Sequence, residues 1–116
     1  MAKNMKYENA LHISVEAPYD VESGGAVAVG LIRGVAIFTA KAGERVTVWL
    51  DGSWEFDLDA AVNEGDAIYI DGEGNLATSG GEFFGVALET TSAAGPAEVA
   101  PIGYASPAVA GGGSGE

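Results

Sequence analysis

Three groups of residues carry side chains that could do chemistry: the lone His12, the alternating carboxylates Glu55, Asp57 and Asp59, and the acidic stretch Asp71-Gly-Glu-Gly-Asn75. Histidine can serve as acid, base or metal ligand near neutral pH. With one histidine and no cysteine in 116 residues, an imidazole cluster or a thiolate zinc site cannot be built, and any Ser-His-Asp triad would have to use His12. That residue stands in a stretch where Leu11, Ile13 and Val15 alternate with His12, Ser14 and Glu16, so it reads as a surface or interface residue of a strand. Carboxylates sharing one strand face could bind calcium or divide acid and base roles in glycoside hydrolysis. Seventeen acidic residues make such pairs frequent by composition alone, so a solvated face is the preferred reading, with calcium and hydrolysis as the lesser ones. The 71–75 stretch lacks the spacing and the distal glutamate of a calcium loop and reads as a turn. No catalytic residue, metal site or cofactor is assigned.

Tryptophan is the other residue type that carries information here. Trp49 is out of phase with Val46, Val48 and Leu50, so it points outward if they point inward, and a large exposed indole marks a contact. Trp54 and Phe56 lie on the aromatic face of the next strand. Trp49, Trp54 and Phe56 are therefore the expected oligomer interface.

Charge narrows the partners. Seventeen acidic against 5 basic residues give a net charge of −12, which repels phosphate backbones and anionic lipid. No phosphate loop is present. Nucleic acid and membrane are not expected partners, and no apolar run approaches the ~20 residues of a membrane span. The start, Met1-Ala-Lys-Asn-Met-Lys6, lacks the apolar core of a secretory signal, so a soluble, non-exported product is expected. Lys3 and Lys6 are the cations of the one basic place in the chain. Lys3, Asn4, Met5, Lys6 and Tyr7 form an arm expected to order against a partner surface rather than against its own domain.

The elements that must hold these residues are short strands. Besides 11–15, the alternation predicts strands at 46–50 and at 54–58, two short strands joined by a glycine turn within the apolar run 27–38 with both faces buried, a hairpin at 71–75, and an apolar strand at 83–88. Pro101 marks an edge or strand end. Residues 59–63 are expected to form a helical turn capped by Asp59.

One nine-residue pattern occurs twice, as Val21-Glu-Ser-Gly-Gly-Ala-Val-Ala-Val29 and Val62-Asn-Glu-Gly-Asp-Ala-Ile-Tyr-Ile70. Each copy is followed by Gly-Val-Ala, at 34–36 and 85–87, and then by Ala-Gly, at 42–43 and 94–95. The ordered matches predict two related β-units on a shared core. The fold expected is mainly β: a compact antiparallel β-sandwich or barrel-like single domain with a two-fold internal repeat, an extended N-terminal arm over 1–10, the β-domain over 11–104, and a flexible Gly-rich tail over 105–116.

The order Val-x-x-Gly-Gly-x-Val-x-Val-Gly at 21–30, Gly-Val-Ala at 34–36, Ala-Gly then Val-x-Val at 42–48, Gly-x-x-x-Phe-x-Leu at 52–58, Gly65-Asp66-x-x-x-Tyr69 and Gly85-Val86-Ala87 resembles the small capsid decoration, or cement, proteins of tailed bacteriophages. The resemblance covers about residues 2–102 and departs from the family at 57–61. It implies a mainly β protein, made in the host cytoplasm, that sits on the outer capsid surface of the virion. There it would bind the major capsid protein, form trimers with itself and stabilise capsomer contacts, without catalysis. The alternative left by the residues alone is a small β-sandwich module that binds carbohydrate or a host surface.

Overall fold

The computed structural model describes residues 10–106. Ten strands follow in order: β1 His12–Glu16, β2 Ala26–Val29, β3 Ile32–Ala36, β4 Arg45–Trp49, β5 Trp54–Leu58, β6 Ala67–Ile70, β7 Leu76–Ala77, β8 Glu82–Ala87, β9 Gly95–Pro101 and β10 Gly103–Tyr104. They form two antiparallel five-stranded sheets. The first has the order β1-β4-β3-β10 with β2 also paired to β3, and the second β5-β9-β8-β6-β7. The fold is all-β, with two curled sheets in a sandwich or half-barrel arrangement. No helix occurs among the described residues, and 59–63 is an irregular bend. The helical turn expected there does not form because the Asp59 carboxylate accepts the Thr78 N–H at 3.1 Å, a contact to the β7 end rather than to its own segment.

Period-two alternation explains the strands. In β1 Ile13 and Val15 are buried while His12, Ser14 and Glu16 are exposed, and β4 repeats the pattern with Val46 and Val48 inside. The run 27–38 does give two strands joined at Gly30, whose φ of 57° suits the turn. Both faces are buried along β3 from Arg33 to Ala36 and in β2 at Ala26 and Val27, whereas Leu31 at the turn and Phe38 past the strand end stand in solvent.

Two apolar clusters fill the molecule instead of one shared core. Ile13, Val15, Val27, Val46, Val48 and Leu50 belong to the first; Leu58, Val62, Ile68, Ile70, Phe84 and Val99 belong to the second. The first sheet supplies the first cluster and the second sheet most of the second, to which β2 of the first sheet adds Ala26 and Ala28. The chain end ties the halves together. β10 crosses from the second half to pair with β3, with Tyr104 opposite Ile32, and the Ala105 N–H donates to the Leu31 carbonyl at 2.7 Å.

The two sheets share a ladder pattern. Val35↔Trp49 and Ala36↔Val48 in the first stand where Val86↔Ala100 and Ala87↔Val99 stand in the second, and Ile13↔Val48 where Trp54↔Val99 stands. The Gly24 N–H donates to the Ala36 carbonyl as the Gly65 N–H does to Ala87. At Gly34 and Gly85, matched in the two ladders, the neighbouring strand passes so close that a methyl group would overlap the carbonyl oxygen of Trp49 or Ala100. In the second sheet β7 pairs Tyr69↔Ala77 on the free side of β6. The matching side of β2 is closed by a side chain, because the Tyr19 hydroxyl donates to the Ala26 carbonyl at 2.8 Å and accepts the Ala28 N–H at 3.3 Å.

Candidate interaction surface

Strand pairing sets His12 opposite Trp49, and a non-hydrogen-bonded pair of this kind brings side chains close. Their rings stack with centroids 4.0 Å apart and planes at 12°. The Trp54 indole meets Trp49 edge-on at 6.0 Å, so three rings from β1, β4 and β5 form one cluster where the two sheets meet. Asp51, in the β4–β5 turn, holds two of them: its carboxylate bonds His12 Nε2 at 3.0 Å and its carbonyl accepts the Trp54 indole N–H at 3.2 Å. Trp49 keeps 37% of its surface in solvent and Leu11 38%, which leaves apolar area on a strongly acidic molecule. Aromatic surface of this kind is the usual anchor of a protein contact.

Phe56 sits apart from this cluster. It is half-buried, packs against the second apolar cluster and meets Phe84 edge-on at 6.0 Å. Lys3, Asn4, Met5, Lys6 and Tyr7 lie outside the described residues. The chain enters from them through Ala10, the one non-glycine with positive φ among the described residues (55°), whose carbonyl accepts the Tyr104 hydroxyl at 2.6 Å.

Glu55, Asp57 and Asp59 point to solvent as the alternation requires. Among the described residues no three His, Asp or Glu side chains converge as a metal site would need. Glu55 faces Glu98 directly across the β5–β9 ladder, a like-charge pair that weakens the sheet locally and keeps its outer face acidic. Asp71 Oδ1 accepts the N–H groups of Glu73 and Asn75 at 2.8 and 3.0 Å. These bonds, Asn75 first, hold its carboxyl below the ordinary value of 3.8, so the loop is an Asx-type turn and uses the groups a cation would have needed.

Arg33 was not singled out by the sequence, where it reads as a polar interruption of an apolar run. It is 3% exposed. Its guanidinium donates to the carbonyls of Gly30, Ile32 and Phe83 and to Glu82 Oε1, the last at 3.1 Å, so it bridges β3 to β8. Beside it opens a cleft of about 1010 Å³, lined by Tyr19, Leu31, Tyr69, Glu82 and Phe83 among others. Tyr19, Arg33 and Glu82 there already have partners within the protein. Burial pushes the Tyr19 phenol above its ordinary 10.0, against the lowering effect of its bond from Ala28.

The family model described as phage cement protein matches residues 5–104. A solved structure, that of the head fiber gp8.5 N base in bacteriophage phi29, is similar to this chain at 15% identity, covering 83% of this chain and 98% of that one, with a TM-score of 0.49. No curated protein matches.

Proposed function

The chain belongs to the phage cement protein family, a structural family whose members decorate the virion capsid, and from that premise we propose that it binds the outer surface of the assembled head as a homotrimer, contacts the major capsid protein and stabilises neighbouring capsomers. The observation that carries this reading is the His12–Trp49–Trp54 cluster, partly exposed apolar surface on a chain of net charge −12. Covering it in a subunit contact removes that area from water, and a threefold arrangement suits the local symmetry of a capsid. Trp49 and Trp54, with the exposed rim of Phe56, form the contact between copies. The arm residues Lys3, Asn4, Met5, Lys6 and Tyr7 meet the shell, since cations approach an acidic capsid surface that repels the rest of the molecule. No catalytic residue takes part, and the protein is made in the host cytoplasm before it meets the head. The matched ladders of the two sheets favour two copies of one β-unit in the chain.

Light scattering at ~100 μM, free and with empty heads, tests the assembly, and cosedimentation with empty heads tests the binding. A trimer that appears only on heads is compatible with the reading. A monomer in both conditions overturns the trimer. Retention on polysaccharide beads without retention on heads overturns the decoration of this surface in favour of a sugar-binding module.

A further inference from the structure

We infer that one end of the first sheet, where Leu11, Leu31 and Tyr104 stand in solvent, docks on an apolar patch of the capsid shell. This deepens the decoration reading and rests on it. Strand directions bring the three residues to one end. β1 begins where β4 finishes, His12 opposite Trp49, and β10 pairs with the start of β3, Tyr104 opposite Ile32. The Ala105 N–H donates to the Leu31 carbonyl at 2.7 Å, and the Tyr104 hydroxyl donates at 2.6 Å to the carbonyl of Ala10, the residue before Leu11. Leu11, Leu31 and Tyr104 keep 38%, 40% and 51% of their surface exposed.

Charge sets this end apart. The segments 10–12, 29–32 and 102–106 that meet here include no Asp, Glu, Lys or Arg, on a chain with 17 acidic residues. Carboxylates that border it are engaged within the protein: Asp51 by His12, Glu82 by Arg33, and Asp71, across the cleft from Leu31, by N–H groups of its own turn. The opposite end of the same sheet carries Glu16, Asp20, Glu22 and Glu44, with the Asp20 carboxylate on the Ala42 N–H and that of Glu44 on the Lys41 N–H. An acidic shell that repels the rest of the molecule finds no charged residue in these three segments, and contact there removes apolar area from water.

Chain length selects the shell as the occupant. Tyr104 ties Ala10 to this end, and Tyr7 is three residues ahead of Ala10. An extended chain spans at most about 3.6 Å per residue, so the Tyr7 backbone lies within roughly 11 Å of Ala10 whichever way those residues run. An arm that meets the shell at Tyr7 therefore keeps this end of the sheet beside the shell.

The test compares Leu31→Asp with Phe38→Asp, since Phe38 is 63% exposed and lies past the far end of β3. Wild-type binding to empty heads is read first; its absence refutes the decoration reading itself. Given that binding, the expected result is a loss of at least tenfold for Leu31→Asp and less than threefold for Phe38→Asp, with thermal unfolding showing that both variants fold. A smaller loss for Leu31→Asp, or one that Phe38→Asp matches, overturns the proposal. Hydroxyl-radical footprinting of the unmutated protein covers the case in which a variant does not fold. Modification of Leu31 and Tyr104 should slow at least threefold on heads, with Phe38 unchanged. Heads that protect neither residue leave the contact elsewhere and overturn the proposal. Protection that is present without heads and rises with protein concentration would assign the end to a second copy and overturn the shell assignment.

Discussion

Replacing Arg33 with methionine keeps most of the side-chain volume and removes every hydrogen bond that crosses from β3 to β8 through the guanidinium. The ion pair is the small part of the effect. Glu82 is 74% exposed at its side chain, so its pairing is worth about 0–1 kcal/mol. The larger part is the carbonyls of Phe83 and Gly30, which lose their donor. An orphaned buried acceptor costs about 1–3 kcal/mol, but Gly30 is exposed and Phe83 half-buried beside the cleft, which places each at the lower end. The sum is a destabilisation of about 2–4 kcal/mol, a large share of the ~5–15 kcal/mol of a domain. Lysine at this position should lose nearly as much, because one ammonium cannot match the planar fork. Urea unfolding measures it, with Glu82→Gln as the comparison, expected within about 1 kcal/mol of the parent. Since the molecule has two apolar clusters, Arg33→Met should also broaden the transition or split it in two. A methionine variant within about 0.5 kcal/mol of the parent, with an unchanged slope, would refute this account of Arg33.

Tyr19→Phe leaves the Ala26 carbonyl and the Ala28 N–H without their phenol and should cost about 1–3 kcal/mol by thermal or urea unfolding. The raised phenol pKa has a sign consequence: the unfolded chain ionises first, so this stability is full below pH 10.0 and is lost as pH rises through the higher folded value, a loss absent in Tyr19→Phe. Asp71 behaves oppositely, its depressed carboxyl stabilising the turn above 3.8 and ceasing to as pH falls through the lower folded value, which an NMR titration of the carboxyl should detect. Gly85→Ala should destabilise by about 3 kcal/mol or more, because the added methyl overlaps backbone at Ala100, whereas Gly43→Ala, in open space at φ +91°, should cost about 1 kcal/mol. Trp49→Ala should weaken self-association by about 2 kcal/mol, roughly thirtyfold, as read by sedimentation at several concentrations, and should also destabilise the isolated chain by about 1 kcal/mol or more through its lost ring contacts with His12 and Trp54.

The strands were legible because their signal is local. Alternation in 11–16 and 45–50 marks inside from outside without reference to anything distant, and the outward placement of Trp49 follows from the same phase. What required the structure was pairing across the chain. That His12 would stack on Trp49 depends on the β1–β4 register, and no residue within either strand records that register. Arg33 was unreadable for a related reason: its partners Phe83 and Glu82 lie about half the chain away, so a buried cation and an exposed one look alike in sequence. The failed helical turn at 59–63 is the same case, since the Asp59 carboxylate that could have capped it was taken by Thr78. The absence of one shared core was also not local, because clusters are defined by how far the sheets curl.

The β1–β4 pairing also fixes how the molecule carries load. A pull along the axis of β1 meets ladder bonds, from His12↔Trp49 to Glu16↔Arg45, that lie across it. Such a pull loads those bonds together, in shear, so that none can yield before its neighbours, whereas a pull perpendicular to the strand would peel them one at a time. Tyr104, bonded to the Ala10 carbonyl, diverts part of the tension into β10 and from there into β3 before it reaches β1.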